Sequence, residues 1–186
     1  MKLFYVDVET TGKYAGKHDI IQLAYIVEID GVVEEEGNIF MAPIDASTID
    51  DEALKVNNST KEQVMAYPSA REGYKQLIAV LAKYVNRYDK KDKFYPVGYN
   101  VRFDCDFISA WFRKMDDKYY GSWFWWQLVD PMSILHFMAV LGKMEPLVNY
   151  KLGTVCECYG ISIDAHDALS DVKAARQLVQ KLDRIL

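Results

Sequence analysis

Residues 2–12 read Lys-Leu-Phe-Tyr-Val-Asp-Val-Glu-Thr-Thr-Gly. The first eight, 2–9, are rich in apolar and β-branched residues and run into Thr-Thr-Gly, the pattern of a buried strand entering a turn. Asp7 and Glu9 stand two apart on it, so both carboxylates leave the same face, about 7 Å apart at strand rise. Two acids on a strand otherwise suited to burial fit either a strand end reaching solvent or a place where hard cations are bridged. Thr10, Thr11 and Gly12 follow at once. Their hydroxyls and backbone N–H groups, with a glycine allowing close approach, suit the phosphate or sugar of a terminal nucleotide.

Outward from this strand, residues 20–29 form a second strand. Asp30-Gly31 is a hairpin signal, and 32–41 returns as a third strand, polar at Glu34 to Glu36 as an edge strand can be. From Ser47 the pattern turns helical, with capping boxes expected at Ser59 with Glu62 and at Ser69 with Glu72. Tyr74, Leu77, Ile78, Leu81, Val85 and Tyr88 recur at helical spacing and predict a helix through about Asp89. Residues 94–99 read as a strand, 103–114 as a helix, 127–130 as a short strand, Pro131 as a helix start, 152–159 as a helix ended by Gly160, and 167–185 as the last helix. The expected fold is therefore α/β: a mixed five-stranded sheet, an antiparallel three-strand meander plus two parallel strands, flanked by helices on both faces. At 186 residues with 51% hydrophobic content, one domain covering 1–186 suffices.

Cys105, Cys156 and Cys158 are an odd number without a second pair for a zinc site, which suggests a reducing, cytoplasmic setting. The N-terminus lacks the apolar core of a signal peptide, and the apolar stretch 121–142 is broken by Gln127, Asp130, Pro131 and His136, so no membrane helix is expected. The net charge of −5 carries no sign of a duplex binder, which usually has a basic face.

Two further acids stand where chemistry collects. Asp104 lies in the first turn of its helix just after strand 94–99, at the carboxyl end of a strand, although an acid there also favours the helix dipole whatever the protein does. Asp171 shares a helical face with Ala168, Ala174 and Ala175, small residues that let a helix approach a sheet, so its carboxylate points inward and requires a donor or a cation. His166 sits in a polar loop before that helix, His136 among apolar helix neighbours as a core histidine, and His18 in a loop open to solvent or a phosphate.

Taken together, Asp7-Val8-Glu9-Thr10-Thr11-Gly12, Asn100-Val101-Arg102-Phe103-Asp104 and His166-Asp167-Ala168-Leu169-Ser170-Asp171 resemble, in order and context, the three motifs of the DEDDh (DnaQ-like) 3′–5′ exonucleases of the ribonuclease H-like fold. The resemblance spans Leu3 to Leu186. It implies that Asp7, Glu9, Asp104 and Asp171 hold two divalent metal ions, Mg²⁺ or Mn²⁺, and that His166 is the general base; Asp167 stands where a tyrosine subclass carries its tyrosine. It also implies that Thr10, Thr11, Gly12, Asn100 and Phe103 position the terminal nucleotides, Phe103 having a rival role in the core.

The expected substrate is the 3′ end of single-stranded DNA, released as nucleoside 5′-monophosphates. An exoribonuclease or oligoribonuclease of the same family is the alternative, since no residue identifies a contact to the 2′-hydroxyl. A non-catalytic nucleic-acid-binding or scaffold subunit is the alternative from another class. A DNA polymerase or replication partner is left open, no tethering tail following the last helix. The segment 119–126, Tyr-Tyr-Gly-Ser-Trp-Phe-Trp-Trp, falls outside the family pattern; it fits a packed cluster, a protein contact, or rings that stack on bases. Lys83, Arg87, Lys90, Lys91 and Lys93 form the densest basic patch, read as a solvated helix end, and Lys151 is the better-placed candidate for a phosphate contact.

Overall fold

The computed structural model describes residues 1–163 and 167–185. Strands β1 (Lys2–Thr10), β2 (Ile20–Ile29), β3 (Val32–Phe40) and β4 (Tyr95–Val97) make one sheet in the order β3-β2-β1-β4. The pairs β1–β2 and β2–β3 are antiparallel, and β1–β4 is parallel. Asp30 and Gly31 both adopt positive φ, 50° and 86°, as a two-residue hairpin loop with matching twist requires.

The sheet is mixed, as expected, but among the described residues it has four strands rather than five. Residues 127–130 contribute only an isolated parallel bridge, Val97 to Val129. The reason lies in the next two residues: Asp130 turns its carboxylate to cap the following helix, and Pro131 has no N–H to offer a ladder.

Among the described residues, seven α-helices surround the sheet: α1 (Asp51–Val56), α2 (Lys61–Met65), α3 (Ala70–Tyr84), α4 (Arg102–Lys114), α5 (Pro131–Val140), α6 (Leu152–Cys158) and α7 (Ala168–Asp183). Alternation along β1 divides them. Phe4, Val6 and Val8 enter the large core with Leu77 and Leu81 of α3 and Phe107 and Phe112 of α4. Tyr5, on the opposite face, joins Ala24, Ala168 and Val172 beneath α7. Ala24 and Ala168 have no exposed surface, and their small side chains let α7 lie close to the strands. A separate apolar cluster, with Leu135, Val155, Cys156 and Leu178, binds α5 and α6 to the outer side of α7. No described helix is long and apolar enough to cross a membrane.

Candidate active site

The face of β1 that carries Tyr5 also carries Asp7 and Glu9, and α7 covers it. Asp171 lies in the first turn of α7, whose N-cap is Asp167 accepting from the Ser170 N–H at 3.1 Å. One carboxylate oxygen from each of Asp7, Glu9 and Asp171 lies within 4.8 Å of the other two. Three acids from two distant parts of the chain thus converge, half-buried, at the end of one strand and the start of one helix.

Asp104 comes from the opposite side of the sheet. It sits in the first turn of α4, buried at 3% exposure, and its Oδ1 accepts from the backbone N–H of Val8 at 2.9 Å. It is outside the 4.8 Å group, yet its charge is the largest of those that act on Asp7. His166 lies outside the described residues.

Bringing these acids together is electrostatically costly. Burial pushes the Asp7 carboxyl well above the ordinary range, and the charges of Asp104, Asp171, Glu9 and Asp167 push it further. Glu9 is raised to about 7 by burial, then by Asp171 and Asp167. Asp104 is raised by burial to about 8, against hydrogen bonds from the backbone that lower it. Crowded half-buried carboxylates of this kind are the donor set that hard divalent cations take, with oxygen ligands only.

The other expected residues are spread around this group. Thr10 donates its hydroxyl to the Gly12 carbonyl at 2.8 Å, and the Thr11 hydroxyl accepts from the Asp19 N–H at 2.9 Å, so both side chains are committed to holding the loop. A Cβ at Gly12 would lie 2.4 Å from the His18 ring, which explains the glycine; His18 itself is buried and stacked on Tyr14 rather than open to solvent. Asn100 is exposed with φ of 60°, and its N–H donates to Asp130 Oδ1 at 3.1 Å. Phe103 is partly buried and packs on Phe107, 4.8 Å between ring centres, so it belongs in part to the core. His136, expected in the core, is exposed on α5 and stacks on Tyr150 at 3.8 Å between centres: its position on the helix faces away from Leu135 and Met138, which are the buried pair.

A cleft of about 680 Å³ opens beside the acids, lined among others by Asp171, Asn100, Tyr99, Tyr150 and Lys151. It is large enough for a nucleotide. Tyr99 donates its hydroxyl to the Tyr150 carbonyl at 2.6 Å and braces that wall. Tyr99 and Tyr150, and Asp130 as the support of Asn100, have no signature in the sequence, because each works through a contact distant in the chain. Asn57, whose Nδ2 donates to the Thr10 carbonyl at 3.0 Å, was equally hidden. The aromatic segment divides: Trp123 and Phe124 are core, at 2% and 3% exposure, while Trp126 is 79% exposed.

Comparison with known proteins finds relatives of the chain in family and in fold. A family model described as RNase_T, Exonuclease, matches residues 4–179. A DNA polymerase III of PolC type from Halalkalibacterium halodurans is 23% identical over 177 residues, 95% of this chain but 11% of that protein. Among solved structures, Exonuclease I of E. coli in complex with a dT13 oligonucleotide superposes with a TM-score of 0.81 at 20% identity, over 98% of this chain and 41% of that one. A second Exonuclease I structure, whose description concerns how processivity is achieved, gives 0.79 at 21% identity over 99% and 42%. The chain therefore has the ribonuclease H-like fold of these exonucleases while spanning well under half the length of the proteins it matches.

Proposed function

The chain belongs to the exonuclease family that RNase_T represents, and from that premise we propose that it is a metal-dependent 3′–5′ exonuclease of single-stranded DNA. The observation that carries the reading is the convergence of Asp7, Glu9 and Asp171, with Asp104 bordering them, at the mouth of a nucleotide-sized cleft. The oligonucleotide bound by Exonuclease I supports single-stranded DNA as the substrate.

In the reaction, the oxygen of water attacks the last phosphorus and the bond to the O3′ of the penultimate nucleotide breaks. A nucleoside 5′-monophosphate leaves, and the shortened strand keeps a 3′-hydroxyl. Asp7, Glu9, Asp104 and Asp171 would hold two divalent cations, Mg²⁺ or Mn²⁺. When bound, these supply charge stabilisation to the phosphate and acidify the attacking water. His166 accepts the water's proton. Asn100, held in its positive-φ conformation by Asp130, and the loop of Thr10, Thr11 and Gly12 orient the terminal nucleotide. Phe103 contributes the edge of its partly buried ring.

The experiment is digestion of 5′-labelled single-stranded DNA and RNA with Mg²⁺ or Mn²⁺, comparing wild type, Asp7→Ala and an EDTA control. A ladder shortening from the 3′ end only in wild type with metal is the expected result, faster on DNA. Faster cleavage of RNA would replace the substrate and keep the mechanism. No cleavage of either would overturn the enzyme reading in favour of a binding subunit.

A further inference from the structure

Trp126, Lys93 and Arg102 take no part in the acidic site. None of the three is explained by the core, and Lys93 and Arg102 form no ion pair with a described residue. Trp126 leaves 79% of its surface in water, an unfavourable state for the largest apolar side chain.

A second groove, about 670 Å³, joins Arg102 and Trp126 to the site. Its walls include Arg102, Trp126, Leu128 and Ser133. It adjoins the catalytic cleft through residues close in the chain: Met132 lines the cleft and Ser133, the next residue, the groove, while Asn100 lines the cleft and Arg102, two residues on, the groove. The boundary between them is the hydrogen bond from the Asn100 N–H to Asp130 Oδ1. Asp130 does line the groove, but the same oxygen also accepts from the Met132 N–H at 3.0 Å, so its charge is already engaged by two donors. Next in the chain to Trp126, Trp125 lies 5.9 Å from the Tyr95 ring with Lys93 Nζ 5.1 Å from its own centre. In a chain of net charge −5, cations interleaved with aromatic faces are confined to few places. That combination is the chemistry by which proteins hold a single nucleic-acid strand: rings stack on bases and cations meet phosphates.

We infer that the part of the strand 5′ to the scissile bond leaves the catalytic cleft past Asn100 and lies in this groove, with Arg102 on a phosphate and Trp126 stacked on a base. This rests on the single-strand exonuclease reading above.

The test measures equilibrium binding of a dT oligonucleotide of about 15 nucleotides, a length within the range single-strand sites cover, and of a dT trinucleotide, by wild type, Trp126→Ala, Trp126→Phe and Arg102→Gln, with exonuclease rates on both. Trp126→Ala should weaken the long strand by about 5- to 150-fold, the loss expected for one stacked base. The effect on the trinucleotide should be much smaller. Trp126→Phe should restore most of the affinity while abolishing the quench of tryptophan emission that the long strand causes in wild type. Arg102→Gln should reduce the slope of log affinity against log salt by about 0.7, one phosphate contact on a single strand. If wild type digests DNA but long and short strands respond alike to every variant, the groove does not carry the strand, and Trp126 is left as a protein contact. If wild type digests neither strand, the parent reading fails first, and the two failures are thereby distinct. Because Trp126 is exposed, its variants should fold, and circular dichroism checks that they do.

Discussion

The carboxylate of Asp104 is bonded to the backbone N–H of Val8, the residue between Asp7 and Glu9, at 2.9 Å. Helix α4 thereby holds the acid-bearing strand from the side opposite to α7. The bond gives Asp104 two separable roles, an acceptor that fixes β1 and a charge that borders the metal-ligand candidates.

Replacing Asp104 by asparagine keeps the acceptor and removes the charge; alanine removes both and leaves the Val8 N–H buried without its partner. An orphaned buried donor costs about 1–3 kcal/mol. Asp104→Ala should therefore melt below Asp104→Asn by a few degrees, at about 2–4 °C per kcal/mol for a chain of this size. Without metal at pH 8, Asp104→Asn should be at least as stable as wild type, because burial penalises the charged carboxyl. Equal melting of the two variants would remove the hydrogen bond from the account of the fold.

The raised carboxyls make stability of the metal-free protein depend on pH with a definite sign. A carboxyl whose folded value lies above its unfolded one binds its proton more tightly when folded, so its contribution is full below the unfolded value and is lost as pH rises through the folded value. For Glu9 that window runs from the ordinary range up to about 7, and Asp7 extends it upward. The melting temperature in EDTA should fall between about pH 5 and pH 8. Mg²⁺ or Mn²⁺ should restore it most at the upper end, by mass action on the folded state. Asp7→Asn should flatten both dependences. A metal-independent melt at pH 8 in wild type would count against cation binding by these acids.

Residues whose role depends on local pattern were legible in the chain; those whose role depends on who meets them were not. Runs of apolar and β-branched residues placed β1 and β2, and the Ser69–Glu72 capping box is present as expected. The earlier box is displaced by one residue: Thr60 and Gln63 form it, while Ser59 donates to the Asn57 carbonyl, because both Ser-Thr hydroxyls fit the rule and only the loop geometry chooses. Helix α3 stops at Tyr84 rather than near Asp89, since Val85 turns extended to bury itself in the core and the Asn86 N–H goes to Asp92. In the site, Asp7, Glu9 and Asp171 were readable as inward acids on a strand and a helix. The Asp130 brace under Asn100 crosses thirty positions and has no local signature.

Gly98 marks how tightly β4 lies against β1. A Cβ there would stand 2.6 Å from the Val6 carbonyl oxygen, a backbone atom that cannot rotate away. Gly98→Ala should force the strands apart and cost about 1–3 kcal/mol, the range for overpacking. The shift would pass to Tyr99 and Asn100, the next two residues and both part of the cleft wall. Urea melts should show a lower midpoint with an unchanged slope, and KM for an oligonucleotide should rise. A variant as stable as wild type would mean that the strand pair yields at no cost.

The pH dependence of the rate has two candidate sources, and they separate by metal concentration. In its proposed role of general base, His166 must be neutral, so kcat should fall on the acid side of roughly pH 6 to 7, around the ordinary histidine value. Glu9, raised to about 7 by burial and by Asp171 and Asp167, would produce a similar acid limb through loss of cations as it takes up a proton. A proton and a cation compete for Glu9 but not for His166. Raising Mg²⁺ should therefore move a Glu9-limited midpoint to lower pH and leave a His166-limited one in place. The expected profile at saturating metal keeps its acid limb near pH 6 to 7, and His166→Asn should lower kcat by about 10²- to 10⁴-fold and abolish that limb. A rate that is flat from about pH 5 to 8 at saturating metal would exclude His166 as the base.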